Sequence, residues 1–192
     1  VSEKTFNLKN LSFYNRPKMI IVVEGIQGVG KTTFCKNYAA SYENVIVLEE
    51  WVDEKLLADY IADMPNKATE FQFAALQQTI KRLNEACELS KQNKTVLVDR
   101  GLIGNQCFAE VQHDQGYISE KDIIEYRNSI PFFEVETWHL ICNPYKALQR
   151  IKKRDRVGED AYSFEYLSRL KQKHDLLLCP YKIIDVSQDL DL

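Results

Sequence analysis

The chain has 192 residues, 45% of them hydrophobic and 28% charged, with a formal net charge of −3. That length and apolar share suit one domain with a sizeable core, and the slightly acidic balance argues against a general nucleic-acid binder, which favours a basic surface. Five scattered cysteines and three isolated histidines form neither a C-x-x-C pair nor a zinc spacing, so the cysteines read as free, mostly buried thiols of a reducing, cytoplasmic setting; no apolar run approaches the ~20 residues of a membrane span.

Residues 1–18, "VSEKTFNLKNLSFYNRPK", read as a polar N-terminal extension, and residues 19–192 as one domain. The first predicted strand, "MIIVVE" (19–24), runs straight into "GIQGVGKT" (25–32). That octet fits G-x-x-x-x-G-K-[ST] between a strand and a helical segment, the context its mechanism needs. Gly25 and Gly30 let the backbone bend tightly, so successive N–H groups and the next helix's positive end face an anion. Lys31 would reach the β- and γ-phosphates of a nucleoside triphosphate, and the Thr32 hydroxyl would ligate Mg²⁺. Gly28 and Thr33 belong to the same cradle.

The second strand, "VIVLE" (45–49), ends in "EEW". Glu49 or Glu50 is placed to accept the proton of an attacking hydroxyl; a solvated acidic turn is the alternative. Trp51 beside them is either a wall of a substrate cleft or an ordinary anchor. A helix is predicted over 68–91, with Phe73, Leu76, Ile80, Leu83 and Cys87 as its core-facing stripe. Gln72, Ala75 and Thr79 share a neighbouring face, because seven residues make two turns. The third strand, "TVLVD" (95–99), delivers Asp99 to the carboxyl edge, where a metal would sit, with Arg100 next to it. A fourth strand is "WHLIC" (138–142). Arg150, Lys152, Lys153, Arg154 and Arg156 then crowd seven positions before Gly158, Glu159 and Asp160. This cluster suits a lid over phosphates, a basic helix face or a nucleic-acid contact. A helix over about 163–178 with Ser163 as its cap and the strand "KIIDV" (182–186) complete the order. Continuous β-branched strands alternating with helical lengths predict an α/β fold with a parallel sheet covered on both faces.

Five segments taken together resemble the deoxynucleoside kinases, the group that includes deoxycytidine, deoxyguanosine, deoxyadenosine and mitochondrial-type thymidine kinases. They are "EGIQGVGKTTF", "VIVLEEW", "FQFAALQQTIKR", "DRGLIGNQCFAE" and "RIKKRDRVGEDAYSFEYLSRLKQKHDLLL". The resemblance implies a P-loop kinase fold with a five-stranded parallel sheet and an Arg-rich lid, often in a homodimer. It implies transfer of the γ-phosphate of ATP to the 5′-hydroxyl of a deoxynucleoside, with Mg²⁺, in nucleotide salvage and DNA precursor synthesis. Glu49 matches the catalytic base, although "EEW" stands where the family has Glu-Pro and a later tryptophan, so Glu50 remains open. Arg100 matches the arginine beside the 5′-oxygen and Gln72 the glutamine that bonds the base. Arg150, Arg154 and Arg156 match the lid, and Glu159 the acid on the sugar 3′-hydroxyl. Tyr60 lies near the sugar-binding tyrosine, with Trp51 close by. Thr79 and Asn105 occupy places where cytosine- and purine-preferring members carry an arginine and an aspartate; two neutral residues there favour thymidine or another pyrimidine. Neither a membrane nor a nucleic-acid partner is expected. A thymidylate-type monophosphate kinase and a non-catalytic ATP-binding subunit are the alternatives.

Overall fold

The computed structural model of the protein describes residues 19–154 and 162–188. Residues 1–18, together with Arg156 and Glu159 of the expected lid, lie outside the described residues. The elements follow as β1 (Met19–Glu24), α1 (Lys31–Ser41), β2 (Val45–Leu48), α2 (Glu54–Ala62), α3 (Met64–Ser90), β3 (Thr95–Asp99), α4 (Leu102–Asp114), α5 (Glu120–Asn128), β4 (Glu136–Ile141), α6 (Pro144–Arg154), α7 (Phe164–Leu177) and β5 (Lys182–Asp185). The strands form one five-stranded sheet in the order β2-β3-β1-β4-β5, and every pairing is parallel.

β1 is therefore the middle strand, with β3 on one side and β4 on the other. The chain leaves the sheet there in opposite directions, which opens a crevice at the carboxyl ends of these strands. The pleat sends successive side chains of each strand to opposite faces. Ile21, Val23 and Leu97 join Phe34, Trp138, Leu167 and Leu170 in one core. Ile20, Val22, Val96 and Val98 join Leu76, Leu83, Ile123 and Tyr126 in the other. Each fully buried Leu or Ile contributes roughly 1.5–3 kcal/mol, so both layers hold the sheet, and the continuous apolar runs are explained. Among the described residues no helix is long and apolar enough to cross a membrane.

All five predicted strands are present, with β4 beginning two residues earlier at Glu136. Ser163 caps α7 as expected: its Oγ accepts from the Tyr166 N–H at 3.1 Å. The long helix starts at Met64 rather than residue 68, with Pro65 in its first turn, where a missing N–H costs nothing. Its buried stripe also differs from the expected one. Ala68, Gln72, Leu76, Thr79, Leu83 and Ala86 are buried, whereas Phe73, Ile80 and Cys87 are only half-buried at the edge of the core. Two polar residues thus sit on the inner face of α3.

Candidate active site

The loop after β1 bends through three glycines at positive φ, Gly25, Gly28 and Gly30. Gly28 has φ +78°, and a Cβ there would stand 2.5 Å from the Ala147 carbonyl of α6 and 2.7 Å from Ile151. Only glycine combines that backbone angle with that approach. The helix α1 begins at Lys31. Lys31 is buried, and its Nζ donates to the carbonyls of Gly25 (3.1 Å) and Ile26 (3.2 Å). Burial, helped by the charge of Arg100, pushes its ammonium down to about 8. Thr33 is half-buried in the first turn of α1.

The end of β3 meets this loop. Thr32 Oγ1 donates to Asp99 Oδ2 at 2.5 Å, while Asp99 Oδ1 is buried and has no partner among the described residues. This is an all-oxygen set of the kind a hard divalent cation takes, so the residues fit Mg²⁺. Arg100 follows with φ +63°, a left-handed backbone that costs a non-glycine residue ~1–2 kcal/mol. Its Nη2 donates to Gln27 Oε1 in the loop at 2.6 Å, and its Nε stands 2.6 Å from Glu50 Oε1. Its Nη1 is buried without a partner among the described residues. Glu24 supports the turn from below: Oε1 accepts from the Gly104 N–H (2.9 Å) and the Gly101 N–H (3.1 Å) at the start of α4. Burial pushes the Glu24 carboxyl up, against those N–H groups and the charges of Arg100 and Lys31.

The two glutamates after β2 part company. Glu49 pairs with Lys36 at 3.0 Å, both side chains more than half exposed. Glu50 pairs with Arg100, and about a third of its side chain stays open to the cleft. Burial raises its carboxyl, but the charges of Arg100, Lys31 and Arg82 outweigh that and hold it below the usual carboxylate range. Consecutive residues of an extended chain point to opposite sides, so only one of the pair faces Arg100. It is Glu50, while the Glu49 side chain turns to Lys36.

Beside Glu50 opens a cleft. Trp51, Val52, Leu56 and Phe71 give it apolar walls, and Thr79, Arg82 and Asn105 give it polar ones. Trp51, 56% exposed, is therefore a wall residue. Thr79 and Asn105, 26 residues apart in sequence but adjacent in space, are bonded: Asn105 Nδ2 donates to Thr79 Oγ1 at 2.7 Å. Gln72 is buried two turns before Thr79 on the same stripe but is not on the wall of this cleft. Tyr60 stacks on Phe71 with 4.4 Å between ring centroids, and its hydroxyl accepts from Gln112 Nε2 at 2.7 Å. Arg150 does not extend as a lid. Its guanidinium donates to the carbonyls of Val29 (2.8 Å), Val186 (2.7 Å) and Gln188 (3.2 Å), so it braces the phosphate loop from behind. Arg154 ends α6 as an exposed residue. Sequence reasoning missed Gln27, Glu24 and Arg82. Glu24 carried a signal, an acid closing an otherwise apolar central strand; the other two carried none beyond their polarity.

A glycine-bent cradle on the central strand, closed by a lysine and faced by a strand-end Asp-Arg pair, defines a P-loop phosphotransferase. The deoxynucleoside kinase family profile matches residues 21–192, and the chain belongs to that family. It is 30% identical over 163 residues to putative kinase protein 143R of Invertebrate iridescent virus 6, covering 81% of this chain and 80% of the viral one. It is 27% identical over 156 residues to the deoxyadenosine kinase of Dictyostelium discoideum, covering 78% of this chain and 62% of that protein. The structure of deoxyadenosine kinase from M. mycoides, with the products dCMP and a flexible dCDP bound, superposes with a TM-score of 0.74 at 22% identity, covering 91% of this chain and 92% of that one. This last likeness shows the fold.

Proposed function

We propose that the protein transfers the γ-phosphoryl group of ATP to the 5′-hydroxyl of a deoxynucleoside, giving the monophosphate for salvage and DNA precursor synthesis. Arg100 carries this reading. A single guanidinium reaches from Gln27 of the phosphate loop to Glu50 on the nucleoside cleft, so donor and acceptor sites meet at one cation. Its Nη1, without a partner among the described residues, is left for an oxygen of the transferring group.

Glu50 takes the proton of the 5′-hydroxyl as the new O–P bond forms and the bond from the γ-phosphorus to the bridging oxygen breaks, releasing ADP. Lys31 and the N–H groups of the loop hold the phosphates. Thr32 and Asp99 would hold Mg²⁺, which supplies charge neutralisation on phosphate oxygens when bound. Because transfer is largely dissociative, positioning and electrostatics outweigh the base. Arg154 and the undescribed Arg156 and Glu159 keep their lid and sugar roles, and Gln72 its base contact, as proposals from the resemblance. So does a homodimer in the cytoplasm. The neutral Thr79–Asn105 pair supports thymidine or another pyrimidine.

The test is a labelled-ATP assay over the four deoxynucleosides and their monophosphates. Labelled nucleoside monophosphate is expected. Product from thymidylate alone would make the protein a monophosphate kinase, and tight ATP binding without any product would make it a sensor.

A further inference from the structure

Arg82 lies on α3, one turn beyond Thr79, at the end of the segment "FQFAALQQTIKR" and with no role assigned to it there. Its guanidinium joins four oxygens. Nη1 donates to the Asp99 carbonyl at 2.7 Å and the Glu49 carbonyl at 3.1 Å. Nη2 donates to Thr79 Oγ1 at 3.1 Å and the Arg100 carbonyl at 3.2 Å. Glu49 directly follows β2 and precedes Glu50; Asp99 and Arg100 close β3. A single helix-borne cation thus ties both strand ends of the site to the base end of the cleft.

The bonds around Thr79 have a fixed sense. Asn105 Nδ2 donates to Thr79 Oγ1 and to the Ala75 carbonyl at 3.2 Å. A carbonyl only accepts, so the amino end of Asn105 must face it, and Oδ1 remains as an acceptor. Arg82 and the amino group of Asn105 can only donate. Both lone pairs of Thr79 Oγ1 are therefore taken, and its hydroxyl has only a proton left to offer. Both residues line the cleft, which so presents a donor beside an acceptor to the edge of a base.

We propose that Arg82 is a positioning residue that couples the base-reading pair Thr79–Asn105 to the Asp99–Arg100 turn and to Glu50; this rests on the deoxynucleoside reading of the cleft. Without Arg82, the Thr79 hydroxyl is free to turn and to accept, and three strand-end carbonyls lose their donor. Base choice and turnover then change together.

Arg82→Met removes all four bonds while keeping an apolar stem; Arg82→Lys keeps the charge but not the planar fork. For Arg82→Met, ATP affinity should stay at the wild-type value while kcat falls about 10- to 100-fold, the scale of a small misplacement of reacting groups. The ratios of kcat/KM among the four deoxynucleosides should shift by about threefold or more, in the direction seen for Thr79→Val, with no further shift in the double variant. Arg82→Lys should restore neither readout fully. A merely structural role would lower all four substrates equally at wild-type ratios, and that result overturns the proposal. So does a wild-type kcat in Arg82→Met. If Arg82→Met fails to fold by circular dichroism, Arg82→Lys and Arg82→Gln are judged by the same ratios. Failure of the deoxynucleoside reading shows separately, in the wild type. If the wild type accepts only monophosphates, the ratios are read across those; if it accepts nothing, both readings fall.

Discussion

The two ends of the site are built differently. At the phosphate end, backbone does most of the work: glycines at positive φ, the first turn of α1, and a lysine resting on loop carbonyls. At the nucleoside end, side chains do it, through Glu50, Arg100, Arg82, Thr79 and Asn105 bonded to one another or to strand ends. A backbone cradle tolerates exchange of most side chains but not of its turns. A side-chain network fails at single atoms, and its polarity decides what it accepts.

The sharpest way to break this contrast is at the two adjacent glutamates. Glu50→Gln should cut turnover about 10²- to 10⁴-fold, the range for loss of a positioned base, with ATP binding intact by calorimetry. Glu49→Gln, which changes a side chain paired with exposed Lys36 and leaves the carbonyl that Arg82 holds, should stay within about twofold, as surface pairs are worth ~0–1 kcal/mol. The opposite ranking would return the role to Glu49. A smaller effect belongs to the phosphate end. Lys31 is charged below and neutral above about 8 in the free protein, and ATP favours the charged form. ATP affinity should therefore be steady below pH 8 and weaken as pH rises past it, by at most about tenfold per pH unit. An affinity flat from pH 7 to 9.5 would show that the ammonium is not buried as described. The smallest effect is Tyr60→Phe, which removes the bond from Gln112 to the Tyr60 hydroxyl and should cost about 0.5–1.5 kcal/mol in chemical denaturation. A rise in KM for the nucleoside with that variant would place Tyr60 at the sugar as well.

The phosphate end was legible because its chemistry is local: eight consecutive residues specify the loop, and the strand before it is plainly apolar. The sheet was legible for the same reason, β-branched runs being bounded by polar stretches. β4 was placed late because Glu136 and Thr137 extend it with polar residues that an apolar pattern does not see. The nucleoside end resisted. Choosing Glu50 over Glu49 requires knowing which way each residue of the turn points, which composition does not encode. The inner stripe of α3 was assigned one step aside because apolar Phe73 and Ile80 looked more buried than Gln72 and Thr79. Polar residues on an inner face break the rule that locates the core, and they do so where a ligand is to be met. Arg82 looked like any cation on a long helix until the carbonyls of two separate strands were seen around it.

Arg150 joins Val29 of the loop to Val186 and Gln188 beyond β5. A cradle encoded at residues 25–32 is thus clamped only once the residues up to Gln188 have left the ribosome. Nascent chains shorter than that should hold nucleotide poorly even where their first strands have already paired.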